Sequence, residues 1–301
     1  MKRYLWILAL AIGAGAQQAA VEVATPTLGY IYDDQTRTLR AIEGVPGAAS
    51  IGAPMHLGTG LDFIAVSPSR SYALGYENGG DNIVLVRLEG TTGGSRASGL
   101  PRARAWFSPS GETVAFDLGE RAEVWTGLPA EPRRVGEFST GELRVAKLAV
   151  SDDGGMVASL AGGALYRLSG EAPERLGQAV RDIAFERGTR DLLALEASRL
   201  VRFGKTQADA EETLLTGLQE AEAFAVARDQ RHVAVVGAQV AVADLRSGET
   251  AYLDSGESRF DGATRAEGDA VFQLHASTGE TWLLEGGGTP RLVALAARGN
   301  Q

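Results

Sequence analysis

The chain has 301 residues, 44% of them hydrophobic and 22% charged, with 38 acidic against 29 basic residues and a formal net charge of −9. That balance is ordinary for a globular protein and argues against a general binder of nucleic acid or anionic membrane, which would carry a basic surface. There is no cysteine, so neither a disulfide nor a thiolate metal site can form, and stability must come from packing.

The amino terminus reads as a secretory signal peptide over residues 1–16. Lys2 and Arg3 give a basic start, Tyr4 to Ile12 is apolar, and Ala14-Gly-Ala16 supplies the small residues a signal peptidase reads. The apolar run is roughly half of the ~20 residues that a membrane-spanning helix needs. The expectation is cleavage after Ala16, export to the periplasm or beyond, and one domain over residues 17–301. Residues 17–27 form a short lead-in. Leu28 to Asp33 and Thr38 to Ile42 then read as a hairpin around Asp34-Gln-Thr-Arg37. Gly44 to Gly60 is rich in Gly, Ala and Pro and reads as loop, with at most one short strand near Met55–Leu57.

From Leu61 onward one unit repeats: a short apolar strand, a tight turn, then further strands. Its clearest copy is Arg104-Ala-Trp-Phe-Ser-Pro-Ser-Gly-Glu-Thr-Val-Ala-Phe116. Pro109 presets the turn and Gly111 tolerates a left-handed backbone near its end. With Ser108 as register mark, the other marks fall at Ser67, Ser151, Glu186, Ala227 and Arg265, giving spacings of 41, 43, 35, 41 and 38 residues. A period near 40 with several short strands per unit is the signature of propeller blades. In this register one strand face is mostly bulky, and the position two before the mark is alanine in five of six copies, with Trp106 the exception. That pattern suits an inner strand pressed between neighbouring sheets. Residues 207–228 also have helical propensity, and a helical turn at Ala208–Glu212 is allowed beside a strand at Ala223–Ala227.

The Ser-Pro-Ser-Gly and Ser-Asp-Asp-Gly turns resemble the Ser-Pro-Asp-Gly turn of TolB-type, WD-repeat-like propeller proteins. The resemblance implies a propeller, often exported and often working through protein contacts, and carries over no catalytic residue. The fold class expected is therefore all-β: a propeller of seven blades with an incomplete first one, or six blades with an extra amino-terminal hairpin.

Signals of catalysis are few. His56, His232 and His275 have no paired spacing, and no nucleophile elbow, P-loop, dinucleotide fingerprint or calcium loop occurs. No cofactor or metal is expected. Four residues before the marks stand Phe63, Arg104, Lys147, Asp182, Ala223 and Asp261, with Arg181 one position earlier in its blade. Charges at one equivalent site of several blades converge on one axis, so Arg104, Lys147, Arg181, Asp182 and Asp261 are the candidate binding residues at a channel mouth. They also read as structural ion pairs that neutralise one another. The function expected is a monomeric, exported, non-enzymatic protein that binds a protein partner or small ligand through its loops and channel mouth. The alternative is a lactonase- or hydrolase-like enzyme with an acid and metal site there.

Overall fold

The repeating turn is built as its composition dictates. In the computed structural model Gly111 takes φ 81°, its amide donates to Ser108 O (2.9 Å), and the Ser108 amide donates to Thr113 O (2.8 Å). Ser151 closes the equivalent turn, its amide donating to Gly155 O (2.8 Å) and the Gly154 amide to Ser151 O (3.0 Å). The geometry outlasts the tetrapeptide: Arg70 and Gln230 occupy the same left-handed position as Gly111, at φ 59° and 56°.

The structure describes residues 25–33, 36–57, 61–77, 82–89, 92–169, 172–177, 180–204 and 211–295. The expected signal peptide, the lead-in up to residue 24, and residues 208–210 of the allowed helical turn lie outside them. The described residues are strands, turns and loops without a helix, arranged as a seven-bladed β-propeller. Blade 1 is three-stranded (Thr27–Asp33, Thr38–Glu43 and Ser50–Pro54). The short strand of the Gly-rich stretch is thus Ser50–Pro54 rather than Met55–Leu57; Met55 and Leu57 instead bury their side chains against blade 2.

Each later blade is a four-stranded antiparallel meander whose first strand is innermost. The first strands are Leu61–Val66, Arg104–Phe107, Val145–Val150, Val180–Phe185, Ala221–Val226 and Phe260–Arg265 for blades 2 to 7. Glu211–Thr216, part of the helix-prone stretch, is the outer strand of blade 5, because cross-strand pairing with Arg199–Phe203 overrides a weak local preference.

The core lies between blades. Trp106 packs on Leu148 and Val150 of the following blade. Ala149 packs on Ile183 and Phe185, and Ala184 on Phe224 and Val226. So the residue two before the mark meets the following blade, which presents its residues one and three before the mark. Alanine there lets the blades close at the axis, and Trp106, 9% exposed, fills the one wider contact. The ring closes without a shared strand among the described residues. Blade 1 seals on blade 7 through Leu28, Ile42, Ala266, Val271 and Leu283, and on blade 2 through Leu39, Leu61, Ala73 and Val86.

The hydrogen bonds shift the expected register in blade 7 by one residue. In blades 2 to 6 the amide of the mark bonds across the turn; in blade 7 it is Ala266, donating to Val271 O (2.9 Å), that does so. Ala266 is fully buried, as are Ser108, Ser151 and Ala227, a place a charged Arg265 would not fill. The position two before the mark is therefore Thr264 in blade 7, and alanine holds it in four of six copies. Asp261 moves out of line with Arg104, Lys147 and Asp182. It joins Arg181 at the irregular step of the inner strand, where the pairing register slips in blades 5 and 7.

Candidate functional site

The inner strands surround a central channel of about 610 Å³. Its wall combines apolar and aromatic side chains (Tyr30, Trp106, Phe107, Ile183, Phe185 and Val226) with a few polar ones at either end. Blade 1 contributes Gly29 to Tyr32 of its first strand directly to that wall. One mouth lies where the inner strands begin, and the other where they run into the tight turns.

At the strand-start mouth three of the sequence-chosen residues form a chain from blade to blade. Arg104 stacks its guanidinium over Trp106, 4.8 Å from the ring centre, and its Nη1 donates to Ala146 O of blade 4 (3.3 Å). Lys147 lines the channel and pairs with Asp182 of blade 5. Asp182 is buried, and its carboxylate also accepts from the Ile183 amide (2.8 Å) and from the Phe224 amide of blade 6 (3.1 Å). The pairing of Lys147 with Asp182 is thus structural, tying three consecutive blades. Arg181 and Asp261 are exposed and stand outside this chain. Asp261 acts instead on His275, which lines the channel. Burial pushes the His275 imidazole below its usual 6.5, and the Asp261 charge works against that push.

The turn mouth was not singled out in the sequence. Asp152 of blade 4 accepts from the Ser110 amide of blade 3 (2.8 Å) and the Gly188 amide of blade 5 (3.0 Å). Burial alone would raise its carboxyl, but the hydrogen bonds from Ser110, Gly188 and Ser108 hold it below the usual carboxylate range. Glu267 of blade 7 pairs with both Arg228 of blade 6 and Arg70 of blade 2. Arg70 also reaches Leu28 O (3.4 Å), and the Glu267 amide donates to the same carbonyl (2.7 Å). Arg265 lines the channel and crosses to blade 2, where its Nε and Nη2 donate to Pro68 O (3.2 and 2.7 Å). Burial, then the charges of Arg187, Arg70 and Arg228, push its pKa down to about 10, against a weaker pull from Asp152. The signal that could have found Arg265 is small: a buried Ser or Ala fills the mark in most blades, and Ala266 offers that in blade 7.

Asp152, Asp182 and Glu267 therefore serve as acceptors between blades. Among the described residues no group of three His, Asp or Glu side chains converges as a metal site.

No family model matches the chain, and no curated protein matches it. Solved structures do match in fold. A protein of unknown function from Desulfotomaculum acetoxidans aligns over 91% of this chain and all of its own length, at TM-score 0.61 and 11% identity. PorZ, a bacterial surface component of the type-IX secretion system of Porphyromonas gingivalis, aligns over 91% of this chain and 39% of its own, at TM-score 0.56 and 14% identity. The β-propeller domain of Cps50 (Swd1) from Myceliophteria thermophila aligns over 84% of this chain and 93% of its own, at TM-score 0.53 and 10% identity. At such identities the likeness is one of architecture: this chain is similar to β-propeller proteins, WD40-like among them.

Proposed function

We propose that the protein is an exported, non-enzymatic propeller that binds a ligand or protein partner through its channel and the loops at the channel mouths. The observation that carries this reading is the channel itself. A cavity of about 610 Å³ with an apolar wall and a few polar groups at its ends has the size and lining of a binding pocket. The acids around it support binding over catalysis, since Asp152, Asp182 and Glu267 are held in blade-to-blade contacts. Export is supported by the Lys2-Arg3 start, the apolar Tyr4 to Ile12 run and the Ala14-Gly-Ala16 segment.

The test is capture with a channel-filling control. The protein beginning at Gln17, and its Thr264→Trp variant, are immobilised and incubated with an exported fraction, and retained species are identified by mass spectrometry. Thr264 is exposed and lines the channel, so the variant fills the cavity without displacing core. Species retained by the native protein and lost from the variant support the reading. Equal retention by both, or turnover of a lactone or ester by the native protein, overturns it.

A further inference from the structure

The position one before the mark separates blade 7 from the rest. Five blades place Val66, Phe107, Val150, Phe185 and Val226 there; blade 7 places Arg265. All six line the channel. An arginine in an apolar ring is costly unless its charge is answered. The chain answers it only in part: Pro68 O takes Nε and Nη2, and a carbonyl carries no net charge.

The surrounding charges sharpen the imbalance. Arg187 flanks the same mouth, where its amide donates to Gln230 Oε1 (3.1 Å). Neither Arg187 nor Arg265 has a carboxylate partner among the described residues. Acids of these turns are already engaged, Glu267 by Arg70 and Arg228, Asp152 by the Ser110 and Gly188 amides, Asp153 by Arg190 and Asp229 by His232. The charges of Arg187, Arg70 and Arg228 bear on Arg265 more strongly than that of Asp152, so this guanidinium sits in net positive surroundings in a chain whose formal net charge is −9. Next to it the wall offers Phe107, Phe185 and Val226.

We propose that the turn mouth of the channel is a binding site for a small amphiphilic anion, whose carboxylate, phosphate or sulfonate head is held by Arg265 and Arg187 and whose apolar body lies along Phe107, Phe185 and Val226. The guanidinium fork of Arg265 keeps its Nη1 hydrogens for such a head, and planar bidentate recognition of oxyanions is what arginine does best. The inference rests on the channel being the binding site proposed above, and adds the chemistry of what it takes.

The probe is anilinonaphthalene sulfonate, an aromatic sulfonate that fluoresces on binding, titrated into the natively folded protein with octanoate and inorganic phosphate as separate competitors. Saturable binding is expected, weakened about tenfold or more in Arg265→Gln, the worth of one charge-assisted hydrogen bond. Arg187→Gln, at an exposed side chain whose loss leaves packing untouched, is expected to weaken it several-fold. Arg133→Gln, exposed on the outer strand of blade 3 (Arg133–Ser139) and away from the channel, is expected to leave it unchanged. Displacement by octanoate assigns a ligand with an apolar tail, and displacement by phosphate alone assigns a free small anion. Binding that is lost in Thr264→Trp but kept by both arginine variants overturns the anion site while leaving the channel reading intact. Native protein that binds no probe overturns the anion site, and the channel reading then stands or falls by the capture experiment.

Discussion

Replacing Asp182 with alanine should destabilise the protein far more than removing the lysine it pairs with. The side chain of Asp182 is 6% exposed, whereas that of Lys147 is 37% exposed. Asp182→Ala deletes the acceptor of two backbone donors, the Ile183 amide (2.8 Å) and the Phe224 amide of the next blade (3.1 Å). A buried donor left without a partner costs about 1–3 kcal/mol. The freed Lys147 can rehydrate, so the lost ion pair adds less than about 1 kcal/mol. For two such donors the expected total is about 2–7 kcal/mol, or roughly 3–12 °C in Tm for a chain of this size. Lys147→Met should cost less than about 1 kcal/mol. The assay is urea unfolding at neutral pH followed by tryptophan fluorescence, with linear extrapolation for each variant. If Asp182→Ala is no more destabilising than Lys147→Met, the carboxylate is not the tie between blades 5 and 6 described above.

Stability should depend on His275 in mild acid. Its imidazole is held below the usual 6.5 by burial, so the unfolded chain takes up the proton first; stability is complete above about 6.5 and declines as pH falls below it. His275→Gln should flatten that part of the urea-midpoint profile, and an unchanged slope would refute the assignment. Gly237→Ala places a Cβ 2.1 Å from Glu220 O, a backbone atom that cannot swing aside. A loss of about 1–3 kcal/mol is expected, and a variant that melts with the native protein would show that the two strands separate freely. Export is checked by amino-terminal sequencing of protein from the periplasm or medium. The chain should begin at Gln17, and an intact Met1 on protein fractionating with the cytoplasm would sink the signal-peptide reading.

The sequence by itself determined the propeller class and left the blade count at seven or six; the sheets set it at seven. Turn residues such as Pro109 and Gly111 act through their own backbone limits, and a period near 40 shows in the chain whatever its neighbours do. Alanine two before the mark likewise announced blades that approach closely, and Trp106 is buried as that register requires. The pairing of Lys147 with Asp182 was legible because equivalent positions in adjacent blades are neighbours in space. What the sequence could not settle was register within a degenerate repeat. Blade 7 lacks the Ser-x-x-Gly turn, and only the bond from Ala266 to Val271 O fixes which residue closes it. That single step moved Asp261 out of the candidate ring and brought Arg265 into the channel. The closure of the ring was equally hidden. Arg70, Leu28, Arg265, Pro68 and Glu267 meet across some 240 residues of chain, and no local pattern encodes such a meeting. It follows from the ring returning to its start, which brings blade 7 alongside blades 1 and 2 and makes neighbours of residues that share no stretch of sequence.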